Sequence, residues 1–186
     1  AMNKLFGSAI MATTLALGAQ AANADEIVRE ARSVDARVTK IRLGGVIELF
    51  VKQGAPSLVV SGERRQLDKM TTSQRGDTLT FDTVGRHGVF GNGKAARAEL
   101  SVPNLDEFIS DGVGSASVRG FDGESIRIAL DGAGTVTLNS RYRKVDARLG
   151  GVGALTLNGV DAERVDLDLR GAGRIDVSGS SKALHA

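Results

Sequence analysis

Apolar and polar positions alternate along much of this chain, and three segments of the second half repeat the alternation without internal gaps: 126–138, 145–157 and 165–177. In the first of them Ile126, Ile128 and Leu130 alternate with other residues, and Val136 and Leu138 resume the pattern after Asp131-Gly-Ala-Gly134. Successive side chains of a strand point to opposite faces, so a period of two predicts strands with one buried face. Arg127, Thr137, Asp146, Thr156, Asp166 and Asp176 then face water. A weaker copy comes first, with Phe108, Asp111-Gly-Val-Gly114, Ala116 and Val118. Glycine pairs recur at Gly112/Gly114, Gly132/Gly134, Gly151/Gly153 and Gly171/Gly173. Glycine at that frequency interrupts a helix and supplies the corners between strands.

A fixed period of about 20 residues with two short strands per copy predicts an all-β solenoid. Stacking places Leu130, Leu149 and Leu169 in one ladder and Val136, Leu155 and Ile175 in another. An antiparallel meander would use the same alternation, but aligned Gly-x-Gly corners favour parallel stacking. The first half is less regular. Residues 38–43, 46–51, 58–61, 78–83 and 97–102 read as strands, and 63–70 as a helical turn with Leu67 and Met70 inward. A glycine-rich loop occupies 85–95. Residues 25–105 are expected to form an irregular β cap and 106–186 the repeats, together one domain over 25–186. Leu184-His185-Ala186 matches the start of another coil, so the last coil is expected to be incomplete. Copies could self-associate through that open end.

The N-terminus reads as an address. Ala1 before Met2 reads as foreign to the natural chain. Lys4 is followed by a largely apolar stretch, and Ala22-Asn23-Ala24 offers the small residues of a cleavage site. Ala19-Gln20-Ala21 is the competing site. The apolar run of about 13 residues falls short of the roughly 20 that a membrane-spanning helix needs. Residues 1–24 are therefore expected to be a signal peptide, with the mature chain exported and without a transmembrane segment.

Composition narrows the chemistry. The 186 residues include no Cys, no Trp and two His, with Lys+Arg 24 against Asp+Glu 22. Thiolate metal sites, disulfides and Cys nucleophiles are excluded, and near-neutral charge argues against nucleic acid. Residues 88–95 nearly spell a phosphate-binding loop, but Ala95 stands where a Ser or Thr would hold magnesium, and a strand follows instead of a helix. Asp111 and Asp131 share a repeat position, but Gly150 and Arg170 come next, which breaks any calcium ladder. Asp146, Asp166, Asp168 and Asp176 are read as members of a charge-balanced face, not as an acid–base pair. No cofactor is implied. Arg141-Tyr142-Arg143-Lys144 is the compact basic cluster with an aromatic, suited to an anionic ligand through charge and ring contact.

Ile47-Glu-Leu-Phe-Val-Lys-Gln-Gly54, Leu58-Val-Val-Ser-Gly62, Leu67, Asp77-Thr-Leu79 and Leu100-Ser-Val-Pro-Asn-Leu105 running into Gly112-x-Gly114 together resemble one bacterial family, the putative auto-transporter adhesins with a head GIN domain. The resemblance spans Val34 to the C-terminus and departs at Ser140. It implies a right-handed parallel β-helix-like fold, an envelope location and adhesion, and it carries over no catalytic residues. The resulting expectation is a non-enzymatic exported scaffold or adhesion module, periplasmic or on the cell surface, whose partner is a surface glycan or an envelope protein. The alternative is a carbohydrate-active enzyme or a periplasmic polysaccharide-binding protein on the same fold, which would need clustered carboxylates in a long groove.

Overall fold

The computed structural model describes residues 26–84 and 95–186, and these form an all-β fold with one short helix. The expected signal peptide and the glycine-rich loop up to Lys94 lie outside the described residues. In chain order the elements are β1 (Ile27–Arg32), β2 (Lys40–Leu43), β3 (Val46–Gln53), β4 (Ser57–Glu63), α1 (Arg64–Lys69), β5 (Met70–Arg75), β6 (Thr78–Thr83), β7 (Ala96–Val102) and β8 (Glu107–Ser110). Four long strands follow: β9 (Val113–Leu130), β10 (Ala133–Leu149), β11 (Val152–Leu169) and β12 (Ala172–His185).

These four differ from the two short strands expected per copy, because each runs on from one side of the core to the other. β9 pairs with β3 through 113–119 and with β8 through 127–130. One pairing network is thereby divided into two walls. The first wall holds β1, β4, β7, β3 and the leading parts of β9 to β12. The second holds β5, β6, β2, β8 and their trailing parts.

β9 to β12 pair in parallel, with equivalent repeat positions aligned. Leu130 faces Leu149, which faces Leu169; Val136 faces Leu155, which faces Ile175. The ladders lose their cover towards β12: Leu149 and Leu155 are fully buried, whereas Leu169 is 50% exposed. Phe81, Phe108, Leu49, Ile128, Leu138 and Leu157 belong to a single core cluster between the walls. Each such side chain contributes roughly 1.5–3 kcal/mol on burial, so the inward rows are the main stabilising term.

The corner glycines are required by close approach as well as by conformation. Gly134 has φ +133, and a Cβ there would fall on the Gly114 carbonyl oxygen of the neighbouring layer. Any larger residue would force adjacent strands apart.

Parallel pairing also reaches into the first half, beyond the Gly-x-Gly copies. β2 pairs with β8 and β6, and β3 with β9 and β7, all in parallel. Leu43-Gly-Gly-Val46 turns between β2 and β3 just as Leu149-Gly-Gly-Val152 turns between β10 and β11. The first half adds antiparallel strands to this stack: β4 lies along β7, β1 along β4, and β5 along β6. The helical turn expected over 63–70 is α1, with Leu67 and Met70 buried. At its start the Glu63 N–H donates to Gln66 Oε1 at 3.1 Å.

Candidate binding surface

The basic cluster lies in β10 between its two wall segments, and strand alternation splits it. Ser140 and Tyr142 turn inward while Arg141 and Arg143 turn outward. Tyr142 is only 3% exposed, and its hydroxyl donates to the Leu105 carbonyl oxygen at 2.7 Å. Burial pushes this hydroxyl's pKa above the ordinary tyrosine range, and the nearby Asp106 charge adds to the shift. Its ring lies over Gly123, where a Cβ would come within 2.8 Å of Tyr142 Cε1. The expectation that the ring meets a ligand beside Arg141, Arg143 and Lys144 is therefore corrected: it is a core side chain with a satisfied hydroxyl. From Ser140 to Arg143 the residues alternate in facing, and that alternation was the available signal.

Of the three cations, Arg143 Nη1 lies 3.7 Å from Glu124 Oε2. Lys144 lines a shallow groove of about 390 Å3 with Arg127, Arg164, Asp106, Asp146 and Asp166. Here charge is matched: Arg127 is 3.9 Å from Asp146, and Arg164 is 2.9 Å from Asp166. The same holds over the rest of the second wall, where Arg42 pairs with Asp111 and Arg148 with Asp131, both at 3.0 Å. Asp111 and Asp131 thus meet arginines. Among the described residues no group of three or more His, Cys, Asp or Glu is placed to hold a metal ion. Asp168 and Asp176, expected outward, also have arginine partners, Arg170 at 2.9 Å and Arg174 at 2.8 Å.

The first wall presents a different outer face. Aligned rows run across its strands: Ser115, Thr135 and Ala154; Ser117, Thr137 and Thr156; Arg119, Asn139 and Asn158. Residues 133–139 and 152–158 contain no charged side chain. Sequence reasoning placed Thr137 and Thr156 outward but searched for charge, and so passed over the uncharged face they belong to. Towards β4 this face ends in a groove of about 600 Å3. Within it Arg97 stacks over the Phe50 ring, 4.1 Å from its centroid, and Glu99 lies 3.3 Å from both Arg97 and Arg29.

Residues 37–183 match the family described as "Putative auto-transporter adhesin, head GIN domain". The chain belongs to this family. The resemblance drawn from the 47–54 and 100–114 motifs therefore holds. The fold is shared with solved structures. A putative adhesin from Bacteroides fragilis is 18% identical, with 86% of this chain and 92% of that one covered and a TM-score of 0.56. One from Parabacteroides distasonis is 16% identical over 86% and 76%, with a TM-score of 0.59. A putative cell adhesion protein from Clostridium sporogenes is 14% identical over 83% and 100%, with a TM-score of 0.54. None of the curated proteins matches the chain. No helix among the described residues is long and apolar enough to cross a membrane.

Proposed function

We infer that this member of the head GIN domain family is a non-enzymatic, exported binding module of the bacterial envelope. It attaches through the outer face of its first wall. One observation carries the reading: the rows of Ser, Thr and Asn on β9, β10 and β11 present donors and acceptors, and residues 113–118, 133–139 and 152–158 carry no charge. Uncharged hydroxyls and amides are cheaper to desolvate than ions, so such a face can dock on a surface glycan or an envelope protein. The adhesin names of the family and of its structural neighbours support this direction.

The architecture behind it is read as a right-handed parallel β-helix-like solenoid within one domain, 25–186. The parallel, aligned pairing of β9 to β12 supports that reading. Export follows from cleavage after Ala24. Arg141, Arg143 and Lys144 form a secondary anionic contact, with Tyr142 as its buried support. Leu169, Val177 and Leu184 are exposed along the last strands, and self-association there is the second mode of contact. Each carboxylate once considered for acid–base work sits beside an arginine, which favours charge balance over catalysis.

Protease shaving of intact cells, with a periplasmic control, tests the location. Digestion while the control survives supports surface adhesion. Protection until the outer membrane is opened removes direct adhesion and leaves a periplasmic scaffold. Incubation with acidic polysaccharides tests the non-enzymatic assignment, and the appearance of new unsaturated ends would overturn it.

A further inference from the structure

Lys52 and Arg119 are register partners on the parallel strands β3 and β9, and both are exposed. Neighbouring strands lie about 4.7–4.9 Å apart, so two positive side chains stand side by side. Like charges in that relation repel and destabilise a sheet. Elsewhere in this protein such neighbours are relieved. Asp146 and Asp166 are partners, but each has its own arginine. Lys144 and Arg164 are partners, and Arg164 is tied to Asp166 at 2.9 Å. Lys52 and Arg119 have no ion pair and no side-chain hydrogen bond among the described residues. The nearby acid of the same groove, Glu99, is already held by Arg29 and Arg97.

We propose that Lys52 and Arg119 bind the carboxylate of an acidic polysaccharide whose chain runs across the strands of the first wall. The proposal rests on that wall being the binding face, and adds the chemistry of the ligand. An anion between the two cations removes their repulsion and gains charge-assisted hydrogen bonds. The row they occupy continues in both directions with neutral polar groups: the exposed Ser57 beyond the buried Ser101 on one side, Asn139 and Asn158 on the other. Amides and hydroxyls at strand spacing suit the hydroxyls of successive sugars. Arg97, held over Phe50, borders the same groove. A nucleic acid would need a longer series of cations along the row. An acidic protein would need apolar pockets for anchoring side chains, which this row does not offer.

The test is titration of the full mature chain with oligogalacturonate and oligoalginate, against a carboxyl-reduced oligosaccharide and a polyglutamate of equal charge. Saturable binding of at least one uronate oligomer is expected. The double variant Lys52→Gln/Arg119→Gln should weaken it about tenfold or more, since hydrogen bonds to charged groups are the strong ones. Asn139→Ala/Asn158→Ala should weaken it roughly threefold through lost neutral hydrogen bonds. The charge-removing variant should melt at the same or a higher temperature, which separates lost binding from lost folding. Binding of neither uronate, equal binding of polyglutamate, or indifference to Lys52→Gln/Arg119→Gln would each overturn the proposal. If uronate binding fails while attachment remains sensitive to Thr137→Glu, the ligand assignment falls and the binding face stands.

Discussion

On β10 the outward residues of the first wall are Thr135, Thr137 and Asn139, and those of the second wall are Lys144, Asp146 and Arg148. Both segments belong to the same strand, pair in parallel with the same neighbours across a register shift after Asn139, and bury aliphatic rows against the same core. Inward, the walls are equivalent: Leu138 and Leu149 are both fully buried. Outward, they diverge. Arg148 is tied to Asp131, and Arg127 approaches Asp146, so the second wall pairs most of its charges with one another. The hydroxyls of Thr135, Thr137 and Thr156 have no side-chain partner among the described residues and stay open to one outside the protein. A repeat that stacks well leaves its outward positions unconstrained by packing, and those positions can then serve solubility on one side and contact on the other.

The comparison can be broken most forcefully from the inside. Leu138→Ala and Leu149→Ala should each cost about 2–5 kcal/mol in denaturant unfolding, because both leave a cavity in the shared core. A large inequality between them would show that the walls do not share the core equally. On the outer face, Thr137→Glu should reduce attachment to envelope polysaccharide about tenfold, equivalent to about 1.4 kcal/mol, while leaving stability within about 0.5 kcal/mol. Arg148→Gln, on the opposite face, should leave attachment unchanged in the same bead assay. Between the walls, Tyr142→Phe strands the Leu105 carbonyl and should cost about 1–3 kcal/mol with no change in attachment. The stability cost of Arg148→Gln should be at most about 1 kcal/mol, since its pair with Asp131 is half exposed.

The smallest effect lies outside both walls. The Arg37 side chain, with Gln74 and the Arg37 backbone N–H, holds the Asp35 carboxyl down from 3.8 to about 2. A lowered folded-state value means stability that is present above the ordinary pKa and lost as pH falls through the lowered one. Asp35→Asn should therefore lower the melting temperature slightly at neutral pH, and the difference from the native chain should vanish near pH 2. A difference that persisted in stronger acid would contradict the assignment.

Much of the fold was legible because its driving pattern is local. Alternation identified the strands, the spacing of Gly112, Gly132, Gly151 and Gly171 identified equivalent corners, and the ladders through Leu149 and Leu155 followed. The extent of the parallel pairing was less visible, since the corner of β2 and β3, Gly44-Gly45, stacks on Gly112 without itself spelling Gly-x-Gly. The candidate surface was harder still. Tyr142 was grouped with its charged neighbours by adjacency, although in a strand adjacent residues face opposite ways. Lys52 and Arg119 lie far apart in the chain, and nothing local marks either of them.

By itself, then, the sequence determined strand identity, corner positions, the inward rows and family membership, because each depends on short-range periodicity and on what a backbone without Cβ can do. Tertiary structure decided which strands became neighbours, and with that which charges were neutralised and which were not. Asp131 finds Arg148 and Lys52 meets Arg119 only through register between strands. Electrostatic pairing acts through space, so the face on which charge remains available is set by the stacking and not by the order of residues along the chain.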